Sequence, residues 1–191
     1  MPEDYELVEE IARGSQAAME VLTRRYYKEI FGFVYRKVGN RETAYDLTQE
    51  IFIKMVQRVG SLTNKAAFKS WLYQIAVNHC RDYWKSASYQ KESKQVEMND
   101  MLKSDATNEV PYIFERKETR EQVKRALQAL PDIQREAVIL KYFHHLKIQE
   151  ISEMTKANVS TVKSRLKQGL TKLATIMKEG EAYEEKKRAR K

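Results

Sequence analysis

Two helices separated by three or four turn residues can be read from residues 147–177, KIQEISEMTKANVSTVKSRLKQGLTKLATIM, with Asn158 as a natural N-cap for the second. That arrangement is a helix-turn-helix. At 100° per residue, Val162, Leu166, Leu170, Leu173 and Met177 form one stripe, expected to pack, and Thr161, Ser164, Arg165, Gln168 and Lys172 lie opposite it. Val159 to Lys178 carries five basic residues and no acidic one, so the free face suits a DNA major groove, with flanking lysines on phosphates. Arg165 and Gln168 are the candidate base readers, because their side chains match purine edges with two hydrogen bonds. The competing reading is an amphipathic helix whose basic face is simply solvated. The turn before such a helix often needs a residue with positive φ, usually Gly, and this chain has Lys156 there.

The rest of the chain narrows the partner. Lys and Arg number 35 against 27 Asp and Glu in 191 residues, a formal charge of +8 that favours a polyanion such as nucleic acid over a membrane surface. Cys80 is the single cysteine, which excludes an internal disulfide and suits a reducing compartment. No apolar run approaches a membrane span and the first ten residues are acidic, so the expected location is cytoplasmic. Neither GxGxxG nor GxxxxGK[ST] occurs, and six Gly and three Pro leave the chain free to be helical throughout.

Pro2 and Asp4 can open a short helix that ends at Gly14. Ser15 can cap a second, through Val21, Leu22, Ile30, Val34 and Val38 to a stop at Gly39. Asn40 can cap a third, in which Ala44, Leu47, Ile51, Met55 and Val59 recur at three- and four-residue steps until Gly60. Asn64 is expected to cap a fourth, with Phe68, Trp71, Leu72, Ile75 and His79 on one face, ending near Ser86. Residues 87–111, ASYQKESKQVEMNDMLKSDATNEVP, have no sustained period and read as a linker. Helical pattern returns from Ile113 to Leu130, breaks at Pro131 and resumes into the helix-turn-helix. The predicted fold is all-α: two small helical domains, 1–86 and 116–191, joined by a flexible linker, 87–115, with EEKKRARK as a basic tail.

Opposite the buried stripe of the third helix stand Asp46, Gln49, Glu50, Ile53 and Gln57. An acidic face with an isoleucine at its centre suits a protein interface, and solvated charge is the alternative. On the fourth helix a second face holds Ser70, Tyr73, Val77, Arg81 and Trp84, bordered by Lys69 and Lys85. Cations among aromatics suit unstacked bases, and packing on a neighbouring helix is the alternative. His79, Cys80, His144 and His145 lack metal-ligand spacing, and His79 is expected in the core with a hydrogen-bond partner. No nucleophile–histidine pairing can be located, so no catalytic residue, metal or cofactor is expected.

In order, these segments resemble the extracytoplasmic-function (ECF) class of bacterial sigma factors over residues 15–86 and 116–178. AYDLTQEIFIKMVQ resembles the conserved-region-2 helix that docks on core RNA polymerase, which implies Asp46, Gln49, Glu50 and Ile53 as the contact. AAFKSWLYQIAVNHCRDYWKS resembles the promoter −10 segment. Its preceding loop, Ser61–Ala67, would capture a flipped base, implying Ser61, Asn64 and Lys65, with Asn78, Arg81 and Lys85 on the adjoining helix. ALPDIQREAVILKYF, EIS and STVKSRL resemble region 4, implying −35 contacts by Ser160, Thr161, Lys163, Ser164, Arg165 and Gln168. STVKSRL alone is moderately specific; the ordered set is strong. Thr155 and Lys156 depart from the family's usual Leu-Gly. The resemblance implies core RNA polymerase, promoter DNA and an anti-sigma factor, commonly membrane-anchored, as partners, and promoter melting without hydrolysis. Two other classes compete: a homodimeric helix-turn-helix regulator, and a nucleic-acid enzyme with magnesium at Asp46 and Glu50.

Overall fold

A computed structural model of the chain describes residues 2–86 and 111–188. Eight α-helices are present among them: α1 (Asp4–Ala12), α2 (Gln16–Val38), α3 (Arg41–Arg58), α4 (Phe68–Lys85), α5 (Pro111–Gln128), α6 (Asp132–Val138), α7 (Ile148–Thr155) and α8 (Val159–Arg188). Short 3-10 turns, Val59–Ser61 and Lys65–Ala67, lie between α3 and α4, and a π turn, Ile139–Phe143, continues α6. The described residues contain no strand. Most of the expected linker lies outside them, and α5 begins at Pro111, inside its expected end.

Local chemistry sets most boundaries. Ser15 Oγ accepts from Ala18 N at 3.2 Å to start α2. Gly39 ends it at φ 82° and Asn40 Oδ1 accepts from Thr43 N at 2.9 Å, so the α2–α3 turn is a left-handed stop followed at once by an N-cap. α1 opens at Asp4 as expected: Glu3 caps it through a reciprocal bond with Glu6, while Asp4 accepts from Arg25 and Tyr26 of α2. One expectation fails here. Asn64 caps nothing: it precedes the second 3-10 turn, and α4 starts at Phe68 without a side-chain cap.

The stripe of α3 is buried as its spacing demands, from Ala44 through Val59. It packs with Leu22, Ile30, Phe33 and Val34 of α2 and with Phe68, Leu72, Ala76 and Val77 of α4. Val21, one of the apolar positions that α2 runs through, is exposed. In the second half, Leu130, Val138, Ile139, Leu140, Ile151, Met154, Val162 and Leu166 are buried. The two sets form one continuous apolar core. Where they meet, Lys37 is fully buried, with Nζ 2.5 Å from Asp132 Oδ1 and 3.2 Å from Glu136 Oε2. A buried ammonium is tolerable only with such partners. Arg135 donates to the carbonyls of Lys37, Gln128 and Leu130, closing the carboxyl ends of α2 and α5.

Candidate nucleic-acid interfaces

The turn before α8 is built by the residue expected to resist it. Lys156 adopts φ 51° and ψ 38°, and the turn is held by Ala157 N donating to Ser152 O at 3.1 Å and Ser152 Oγ donating to Ala157 O at 2.6 Å. Asn158 Oδ1 then accepts from Thr161 N at 2.7 Å and Ser160 Oγ at 2.8 Å, capping α8 as its sequence predicts. Val162 and Leu166 are buried, but the seam continues through Gly169 and Leu173 and leaves Leu170 exposed. The reason is proximity: a Cβ on Gly169 would lie 2.9 Å from Val138 Cγ2, so α8 approaches α6 where only glycine fits.

Ser160, Lys163, Ser164 and Gln168 are exposed on the opposite face, and Thr161 is half-buried. Arg165 is also half-buried, with Nε enclosed and lacking a hydrogen-bond partner, so part of this side chain serves packing. Gln168 Nε2 donates to Ser164 Oγ at 3.2 Å, and Gln134 Nε2 of α6 donates to Gln168 Oε1 at 3.0 Å. The amide thus faces the surface in a held orientation, which the sequence offered no way to find.

Asp46, Gln49, Glu50 and Ile53 are brought together on the solvent face of α3, with Ile53 56% exposed. Tyr45 and Val56 extend this apolar exposure; their signal was available, as large apolar residues off the buried stripe. Also missed was a row of parallel rings on α2, Tyr27, Phe31 and Tyr35, with centroids 6.4 and 6.1 Å apart at four-residue steps. Behind α3, His79 is in the core as expected. Lys54 Nζ donates to its Nδ1 at 2.6 Å, and Glu50 Oε2 lies 2.8 Å from Nε2 but out of line for a hydrogen bond. Burial, aided by Lys54, lowers the His79 pKa against the opposing pull of Glu50.

The expected −10 residues are divided. Ser61 and Asn64 are exposed on the loop; Lys65 is half-buried and paired with Glu9 at 3.0 Å, which lowers the Glu9 pKa. On α4, Asn78 and Lys85 are exposed, whereas Arg81 is held by Glu136 at 2.5 Å. Tyr73 and Val77 are buried and Ser70 Oγ donates to Glu150 at 3.4 Å, so this face packs on the second half, the alternative its sequence left open. Cys80 is buried beside it, with its thiol pushed up to about 12. Among the described residues, no group of three or more His, Cys, Asp or Glu could hold a metal ion, and no helix is long and apolar enough to cross a membrane.

A basic recognition helix after a left-handed turn, on an all-helical chain of positive charge, defines a helix-turn-helix DNA-binding protein. Comparison with known proteins narrows this. Residues 22–89 match the family model for Sigma-70 region 2, and residues 120–173 the model for Sigma-70, region 4. The chain is 30% identical over 172 residues to the RNA polymerase sigma-H factor of Pseudomonas aeruginosa, covering 86% of this chain and 88% of that protein. It is 32% identical over 171 residues to the ECF RNA polymerase sigma-E factor of Escherichia coli K12, covering 85% and 88%. Its fold is similar to CnrH, solved with the cytosolic domain of CnrY, with a TM-score of 0.67 at 18% identity over 92% of this chain and 97% of that one. The sigma factor RpoE of Bartonella quintana, solved with the anti-sigma factor NepR, gives a TM-score of 0.62 at 21% identity, covering 83% and 96%. The chain belongs to the ECF sigma factors, the promoter-recognising subunits of bacterial RNA polymerase. That membership sets aside the free-standing regulator and the nucleic-acid enzyme as leading assignments.

Proposed function

We propose a division of labour for promoter recognition in which α3 docks core RNA polymerase, the 59–67 segment and α4 receive the −10 strand, and α8 reads the −35 duplex. The observation that carries the first step is the exposed face of α3, where Ile53, Tyr45 and Val56 stand among Asp46, Gln49 and Glu50. Exposed apolar side chains ringed by charge are what a protein partner desolvates. For α8, exposed Lys163 suits phosphate and the held amide of Gln168 suits a base edge, with Ser160, Thr161, Ser164 and Arg165 around them. Ser61, Asn64 and Lys65 border the loop for an extruded base, and Asn78, Arg81 and Lys85 follow one face of α4. The chain acts by binding, with no turnover of its own, in the cytoplasm. An anti-sigma factor completes the partner set, supported by the two similar folds, each solved with a partner, one of them named an anti-sigma factor.

The test is co-elution with bacterial core RNA polymerase and run-off transcription from a promoter library, comparing wild type with Asp46→Arg and Ile53→Glu. Both variants should keep their helical circular dichroism and bind core polymerase at least about tenfold more weakly. Wild-type affinity in both would remove α3 from the docking surface.

A further inference from the structure

The helix that packs behind α8 also reaches its exposed face. Gln134 stands in the first turn of α6, where its backbone N donates to Pro131 O at 3.0 Å. The next residue, Arg135, is buried and bonded to the carbonyls of Lys37, Gln128 and Leu130, so the backbone is fixed at this point. α8 comes close here: a Cβ on Gly169 would lie 3.5 Å from both Cβ and O of Gln134. That approach brings the Gln134 amide to Gln168, the residue before the glycine, and Gln134 Nε2 donates to Gln168 Oε1 at 3.0 Å. Gln134 Oε1 is enclosed without a hydrogen-bond partner. An unpaired buried acceptor costs stability and an apolar side chain of the same size would avoid that cost, so packing alone does not select glutamine here.

We propose that Gln134 is a positioning residue for −35 recognition, setting the Gln168 amide to read adenine at one position of the element. This rests on the reading of Gln168 as a base reader. A side-chain amide has two acceptor sites on its oxygen and two N–H donors. Gln134 occupies one acceptor site of Gln168, and Ser164 Oγ, at 3.2 Å, takes one N–H. One acceptor and one donor remain side by side on an exposed residue. Adenine offers the complementary pair in the major groove, N6–H for the oxygen and N7 for the N–H. Guanine offers two acceptors there and would set its O6 against the amide oxygen. A free amide can turn over and exchange donor for acceptor; the donor fixed on α6 opposes this, because turning would bring N–H against N–H. Base reading thus draws on a helix outside the helix-turn-helix, and the held side chain is spared an ordering cost on binding.

The test uses the full chain assembled with bacterial core RNA polymerase, transcribing a promoter library randomised through the −35 element, each template barcoded in its transcript. Wild type should prefer adenine at one position, and Gln168→Ala should abolish that preference while leaving the other positions unchanged. Gln134→Leu keeps the bulk and removes the donor; it should weaken the same preference about fivefold, the net effect of one hydrogen bond. Gln134→Glu keeps the shape but can only accept, so it should turn the Gln168 amide over and lose the preference too. Its added charge weakens binding to all sequences alike, which a preference measured between sequences does not register. Circular dichroism checks folding, and should one variant at Gln134 fail to fold, the other decides. Wild-type preference in a folded Gln134 variant, or a Gln168-dependent position that prefers another base, overturns the proposal. No change at any position in Gln168→Ala removes Gln168 from the base readers, and the proposal with it.

Discussion

His144 shows how a single residue can report on the fold. It follows the π turn and faces the Tyr73 hydroxyl of α4, with Glu29 also within 3.3 Å of that hydroxyl and Arg36, Lys69 and His145 nearby. Burial, then these positive neighbours, depress its pKa to about 4, while the unfolded ring titrates near 6.5. Above pH 6.5 neither state binds the proton and the group contributes no pH dependence. Between pH 6.5 and 4 the unfolded chain takes the proton and the native chain does not, so stability falls as pH falls, levelling below about 4. Urea unfolding should therefore show a wild-type advantage over His144→Gln that shrinks by roughly 2 kcal/mol from pH 7 to 4. Parallel pH profiles for the two proteins would place His144 in solvent-like surroundings. Nothing beside His144 in sequence announces this, because Tyr73 lies 71 residues away. By contrast Ser15, Asn40 and Asn158 were legible as caps because a cap's partner is only three residues along. Lys156 was legible as the residue at the left-handed position, since the turn's geometry requires one whatever side chain is present.

At the scale of elements, the apolar stripes of α3 and α4 foretold their buried faces, but Leu170 shows where periodicity stops deciding. Leu166 is followed at three residues by Gly169 and at four by Leu170, and hydropathy favours the leucine. The close approach of α6 selects the glycine instead, turning Leu170 outward. Asn64 fails for a related reason: a good capping residue was available, yet the chain makes a 3-10 turn before α4 begins. Gly169→Ala sets two effects against each other. Helix propensity favours alanine by about 1 kcal/mol. The added methyl, however, meets Val138, a buried β-branched side chain with little rotamer freedom, at 2.9 Å. Overpacking of this kind costs about 1–3 kcal/mol, so the variant should be less stable by about 1 kcal/mol net. A thermal-denaturation cycle with Val138→Ala should show the two changes compensating one another. An alanine variant more stable than wild type would mean that α6 and α8 are not in this contact.

For the molecule as a whole, the presence of two helical halves was legible in the sequence, whereas the joining of the two halves was not. Lys37 and Asp132 stand 95 residues apart, and Arg81 and Glu136 stand 55 apart, with no local pattern linking them. Nothing local sets Lys37, Asp132 or Glu136 apart from the other charges of the chain, and Arg81 reads in sequence as a candidate DNA contact. Their burial makes the halves energetically dependent: separating them exposes an apolar core that is continuous across the junction, and ion pairs formed between α6 and the helices α2 and α4. Two independently stable domains would open separately, each with its own free energy, while one cooperative unit opens at a shared one. The second arrangement is expected. In native-state hydrogen exchange the slowest amides of α2 and α4 should open within about 1 kcal/mol of the slowest in α6 and α7. Lys37→Met then provides the contrast. It removes the cation shared by Asp132 and Glu136, leaving Arg81 as the remaining partner of a buried carboxylate, a change that destabilises by removing one member of a paired set. Its effect should fall on the junction, so the opening free energy of α6 and α7 drops below that of α2 and α4 and one plateau becomes two. Two plateaus already present in the wild type would show that the halves fold separately and that the charges at their junction do not couple them.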